Sequence, residues 1–180
     1  DDEERYNYVF VQSNTSIEAL LSEKNSWWNN AADVLSSEEQ ALVSALSATH
    51  TWTADSRHIY SDEGSIAKGL GGFIQFNFAR PENVDGFIQE NLTLWKPYFE
   101  KNMDSMGMVN WGVGRKLAPL GANWAKVSTW DMFNTLEELM NYRIGYKLPA
   151  DLLKKSKMKD HNPDGFMMMP IFQMIANSAQ

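Results

Sequence analysis

Residues 73–79, FIQFNFA, alternate Ile74, Phe76 and Phe78 with Gln75 and Asn77. A period of two predicts a strand with one buried face. The period then changes: Val84, Ile88, Leu92, Trp95, Phe99 and Met103 recur at steps of three or four, which predicts a helix over residues 81–105. Pro81 suits its first position, Glu82 and Asp85 complement the dipole there, and Gly107 is placed to end it. Pro97 lacks the N–H that the helix interior needs, so the helix should be disturbed near residues 93–95. Strands at 108–116 and 123–130 then form a hairpin around LAPLGAN. Asn134 or Thr135 caps a helix with Leu136, Leu139 and Met140 inward, and a further helix opens at Pro149. HNPDG at 161–165 is a turn, and 166–175 is a last strand that Pro170 sends to an edge or interrupts.

Upstream, YNYVFVQ at 6–12 reads as a strand, residues 16–28 as a helix with Ser13 or Asn14 as its cap, and 37–48 as a second helix. Ser36 followed by Glu39 has the spacing of a capping box. Residues 51–60 alternate as a strand, and the glycine-rich, polar run after them reads as a connector. The fold class that follows is α+β: a ferredoxin-like βαββαβ domain at 73–176, a connector at 63–72, and a βααβ half repeat at 1–62 packed on the main domain. Strand, polar cap and paired leucines recur in RYNYVFVQSNTSIEALLSE and NWAKVSTWDMFNTLEELMN, through duplication or through shared patterning alone.

Composition narrows the chemistry. The 180 residues are 43% apolar and 12% aromatic, enough for a core without staples, and contain no cysteine, which removes disulfides, thiolate catalysis and zinc–thiolate sites. Twelve acidic and three basic side chains fall in residues 1–65, against eleven and thirteen in the remainder. That balance argues against nucleic acid and anionic membranes as partners. Lys154, Lys155, Lys157 and Lys159 read as a solvated helix end. No apolar run reaches the length of a membrane helix, so a soluble protein is expected. The chain begins at Asp1, which leaves both a cytoplasmic and a secreted or periplasmic location open, the latter after removal of an upstream segment.

The run Phe78-Ala79-Arg80-Pro81, the long helix bearing Trp95-Lys96-Pro97, the WGVGRK strand and the returning strand with Trp124 resemble the dimeric α+β barrel superfamily, which includes antibiotic-biosynthesis-monooxygenase-like proteins and many bacterial sequences. The resemblance covers residues 71–175, and residues 1–62 more weakly. It implies two ferredoxin-like sheets closing face to face around a small aromatic or lipophilic molecule. It also implies a homodimer, which the roughly six strands of one chain support, since about eight close a barrel. Oxygenase-like members use an Asn, a Trp and a His or Arg around substrate. Haem-degrading members carry an iron-ligating His on a helix, and residues 81–105 hold no histidine.

Candidate chemistry is sparse. His50, His58 and His161 have no metal-ligand spacing, and neither metal nor other cofactor is expected. His58 and Tyr60, two apart on one strand, are the acid/base candidates, the alternative being a hydrogen-bonded structural pair. Trp95, Phe99 and Met103 read as core, and Met167, Met168 and Met169 as adaptable filler. If Ile74, Phe76 and Phe78 face the helices, Gln75 and Asn77 face the barrel side. With Asn110, Gly112 and Gly114 on one strand and Trp124 and Lys126 on the next, they would line a ligand pocket or a dimer interface. The glycines leave space for a ligand or for a neighbouring group. Two functions stand: a small-molecule-binding or structural barrel without catalysis, and a cofactor-independent oxygenase or isomerase acting on a small aromatic or lipophilic compound.

Overall fold

Side-chain caps start the helices of the N-terminal part. In a computed structural model, which describes residues 9–25, 33, 35–49 and 58–175, the chain divides into two compact units, Asp1–Ala54 and Asp55–Gln180. In the first unit, Ser16 caps a short helix α1 (Ile17–Leu21) by accepting from the Ala19 N–H, and a 3-10 turn follows at Glu23–Asn25. The Glu39 carboxylate accepts from the Ser36 N–H and hydroxyl at 2.8 Å each, and the Ser36 hydroxyl accepts from the Glu39 N–H, completing the expected box at the start of α2 (Ser37–Thr49). The helix expected over 16–28 is thus broken after Leu21, and its last three residues lie outside those described. Val9–Gln12 are not in a strand, and the rest of the strand expected at 6–12 lies outside the described residues.

The second unit is a mixed α+β domain built on a six-stranded antiparallel sheet: β1 (Ile59–Ala67), β2 (Phe73–Ala79), β3 (Met108–Ala118), β4 (Val127–Phe133), β5 (Phe166–Met168) and β6 (Ile171–Gln173). Its order is β1-β3-β4-β2-β5, with β6 also paired to β2. Two boundaries differ from expectation. Of the strand expected at 51–60, residues 51–57 lie outside those described, and Ile59 and Tyr60 open a strand that continues to Ala67, so the connector expected at 63–72 shrinks to 68–72. Its polar sequence reads as loop, but it is held as an edge by backbone pairing to β3, with a bulge between Asp62 and Gly64. A side chain at Gly64 would collide with Leu92. The strand expected at 123–130 begins only at Val127, because Gly121–Trp124 form a turn closed by the Trp124 N–H on the Gly121 carbonyl. The last strand is interrupted at Pro170, as expected, and the Pro170 carbonyl still accepts from the Phe76 N–H at 3.1 Å.

Between β2 and β3 the chain is helical in three parts: α3 (Val84–Glu90), a π-helical turn at Asn91–Trp95, and α4 (Lys96–Met106). Asn83, not Pro81, caps the start, and Gly107 ends it in the left-handed conformation at φ 69°. The π turn lies just ahead of Pro97, where the wider register accommodates the missing donor. Three further helices follow β4: α5 (Leu136–Gly145), opened by a Thr135–Glu138 capping box, α6 (Ala150–Lys155) and α7 (Met158–His161). Glu90, nearly buried, accepts from Trp95 Nε1, the Ser156 hydroxyl and the Lys157 N–H, so α3 and the chain entering α7 are pinned together.

All of these helices that reach the sheet pack on one face. Phe87, Ile88, Phe99, Met103, Met106 and Leu139 meet Ala79, Trp111, Val113, Val127 and Phe133, and the Phe99 and Trp111 rings stack at 5.1 Å. Register puts Gln75 opposite Asp131 and Asn77 opposite Thr129 on this same face. Gln75 and Asn77 therefore lie beneath the helices, contrary to the expectation that they face the barrel side. They are stable there because they are bonded in a chain: Arg143 donates to Gln75, Gln75 to Asn77 at 2.6 Å, and Asn77 to Asp131 at 2.6 Å and Thr129 at 3.1 Å.

Burial pushes the Asp131 carboxyl up from 3.8 to about 6, against the Asn77 bond that favours its ionised form. A raised acid binds more protons folded than unfolded between those values, so its contribution makes stability fall as pH rises through that window. Asp131→Asn keeps an oxygen for Asn77 and removes the titration. Its stability relative to the parent should be near zero at pH 4 and rise to about 2–3 kcal/mol in its favour by pH 7. Urea unfolding at several pH values checks this, and a difference independent of pH would refute it.

Candidate functional site

Because side chains alternate across a strand, burying Gln75, Asn77 and Ala79 turns Ile74, Phe76 and Phe78 to the other face. There they remain half-buried. Register places Tyr60 of β1, Asn110, Gly112, Gly114 and Lys116 of β3, and Trp130 of β4 on this second face with them. Rings run across it in near contact: Tyr60 to Phe78 at 6.4 Å, Phe78 to Phe76 at 5.8 Å, and Phe76 to Phe172 at 6.2 Å between centroids.

The glycines do not leave a vacancy. Trp130 lies over Gly112, where a methyl group would collide with its ring, and over Gly114. Trp130 Nε1 donates to Asn110 Oδ1 at 2.9 Å, which fixes both side chains. Asn110 is thus on the expected face, but as the anchor of an indole.

The end of the face nearest the β3–β4 turn holds a different group. Lys116 is 4% exposed, and among the described residues its ammonium has no hydrogen-bond partner. Its Nζ lies 4.6 Å from the Trp124 ring centroid and 5.8 Å from that of Tyr60, which is its cross-strand pair. Trp124 in turn meets the His58 ring edge-on at 4.9 Å. The Tyr60 hydroxyl is also buried without a partner. Burial pushes the Tyr60 hydroxyl up to about 12 and the Lys116 ammonium down from its ordinary value. His58 is lowered by burial and, secondarily, by the Lys116 charge. Cation–π contact favours the charged lysine, so the ammonium is held by rings rather than by a carboxylate.

Of the residues singled out from the sequence, the structure gathers His58, Tyr60 and Trp124 around Lys116. Asn110 sits further along the same face under Trp130, and Gln75 and Asn77 lie on the opposite face. Lys126 is exposed and turned to the Pro81 carbonyl at 3.5 Å. Sequence reading passed over Lys116, Phe76 and Phe78 as site residues. Lys116 was accessible through parity, since it follows Asn110, Gly112 and Gly114 at steps of two. Among the described residues, no cluster of His, Cys, Asp and Glu has the arrangement of a metal site, and no helix is long and apolar enough to cross a membrane.

No protein-family model matches the chain, and no curated protein matches it. Among solved structures it is similar to one described as the structure of a major regulator of staphylococcal pathogenesis, at 13% identity over 69% of this chain and 74% of that one, with a TM-score of 0.43. At that level the likeness carries no argument about function.

An ammonium buried without an acceptor costs stability. Lys116→Met keeps the stem and removes the charge. It should stabilise the protein by about 1–3 kcal/mol at pH 7, read as a higher denaturation midpoint with an unchanged slope. A midpoint lowered by the substitution would show that the ammonium is satisfied in the folded protein.

Proposed function

We propose that this protein is a small-molecule-binding protein of the dimeric α+β barrel type, without catalysis, whose ligand lies against the second face of the sheet. The fold reading has support in the sheet order: from β2 onward, strand, helix, strand, strand, helix, strand are arranged with the outer β6 beside β2, then β4, then β3, as in a ferredoxin-like domain. β1 extends that sheet beyond β3.

The observation that carries the functional reading is the row of half-buried rings from Tyr60 through Phe78 and Phe76 to Phe172. An aromatic sheet face of this kind suits a flat apolar ligand. A second copy bringing the same face opposite would enclose it, and the self-complementary contact is that of a two-fold dimer. In this reading the Tyr60 hydroxyl, raised by burial to about 12, is a neutral hydrogen-bond donor to the ligand.

Two measurements test this reading. Titration with 2-naphthol, followed by tryptophan fluorescence, should give saturable quenching that Phe76→Ser weakens at least fivefold with its cooperative unfolding retained; no saturable binding by the parent would overturn the ligand reading. Sedimentation equilibrium should give a species of twice the 20.5 kDa chain mass. A monomer at all micromolar concentrations would overturn the dimer.

A further inference from the structure

We propose that Lys116 and Tyr60 form an anion-recognising end to the aromatic face, and that the ligand is a small aromatic carboxylate with its acid at Lys116 and its ring toward Phe78. The proposal deepens the binding reading above and rests on it.

Two donors meet at this place with nothing to accept from them. The Lys116 ammonium and the Tyr60 hydroxyl belong to a cross-strand pair, point to the same face, and are each buried and unpartnered. Buried donors are almost always satisfied, because leaving one unpaired forfeits its hydration without return. Two adjacent exceptions are what a site shaped for an acceptor presents when that acceptor is absent. Among the described residues, the surrounding groups do not supply one. Trp124 and Tyr60 offer ring faces to the ammonium. His58 meets the Trp124 ring. Asp62, further along β1, accepts from the Ser65 hydroxyl at 2.6 Å. On the same strand as Lys116, Arg115 is already paired with Asp85 and Glu63.

The donor set selects the class of anion. One ammonium and one neutral hydroxyl match a single negative charge shared by two oxygens, each oxygen taking one bond. A phosphate dianion would carry a second charge for which this pair has no counterpart. The carboxylate must be borne on an apolar body, because along the sheet face the pair is continued by the rings of Phe78 and then Phe76. A flat arene joined directly to its acid has that shape, whereas a free inorganic anion would leave the rings uncovered.

The test compares 2-naphthoate with its neutral isostere 2-naphthamide by isothermal titration calorimetry at pH 7, on the full chain and on Lys116→Met and Tyr60→Phe. The parent should bind the carboxylate at least tenfold more tightly than the amide. Lys116→Met should abolish that preference, and Tyr60→Phe should reduce it in part. Cooperative urea unfolding of each variant shows that it is folded. Equal affinities of the parent for the two probes, or an unchanged preference in Lys116→Met, would overturn the anion site and leave the aromatic binding face standing. Failure of the parent to bind naphthoate, naphthamide or naphthol would overturn both.

Discussion

The hydrogen bonds from Asn77 to Asp131 and Thr129, extended through Gln75 to Arg143, decide which way the central strand faces. A side chain in a strand has two directions available, and hydrophobicity alone would turn Phe76 and Phe78 inward. Burying Asn77 and Asp131 is tolerable only because each is met by the other's polar atoms. A one-residue slip would bury three apolar side chains and break every bond in the chain of amides. The polar network thus fixes the register while Trp111, Val113, Val127 and Phe133 supply the apolar packing around it. Asp131 bears the cost, as its raised pKa shows.

The aromatic surface is the other side of that arrangement. With the helices committed to one face, Phe76 and Phe78 are displayed on the other. Trp130 covers the two glycines of β3 and is locked by Asn110, which makes this part of the surface flat and rigid. Lys116, at the end of the same row, keeps its charge among rings instead of carboxylates. A core built for stability alone would have a methionine or leucine there. Retaining an ammonium with no acceptor among the described residues costs stability at the place proposed for anion recognition.

Much of the architecture was legible in the sequence. The period change at Phe78 to Val84, the capping pair Ser36–Glu39, a cap at Asn134 or Thr135, the stop at Gly107 and the break at Pro170 are local signals, and each has its local counterpart in the structure, the cap being Thr135. The disturbance ahead of Pro97 was legible as well, though not its π-helical form. The run of β1 beyond Tyr60 was missed because an edge strand is held by its neighbour's backbone, which lends no pattern to side chains such as Ser61, Asp62 and Glu63. The facing of β2 was lost for a related reason. Gln75 and Asn77 are buried by partners more than 50 residues away, and no local pattern carries that distance. The candidate site followed the same division: His58, Tyr60 and Trp124 were singled out by residue type, while Lys116, the group around which they gather, looked like one more surface lysine.

The most direct test of the account is which side of the sheet responds to ligand. Trp124 and Trp130 belong to the aromatic side, whereas Trp111 stacks on Phe99 beneath the helices and Trp95 is bonded to Glu90. With 5-fluorotryptophan incorporated and each signal assigned by substitution, fluorine NMR during titration with 2-naphthoate reads both sides at once. The account predicts saturable shifts of the Trp124 and Trp130 resonances with those of Trp95 and Trp111 unmoved. Shifts of Trp95 and Trp111 with Trp124 and Trp130 unmoved would contradict it.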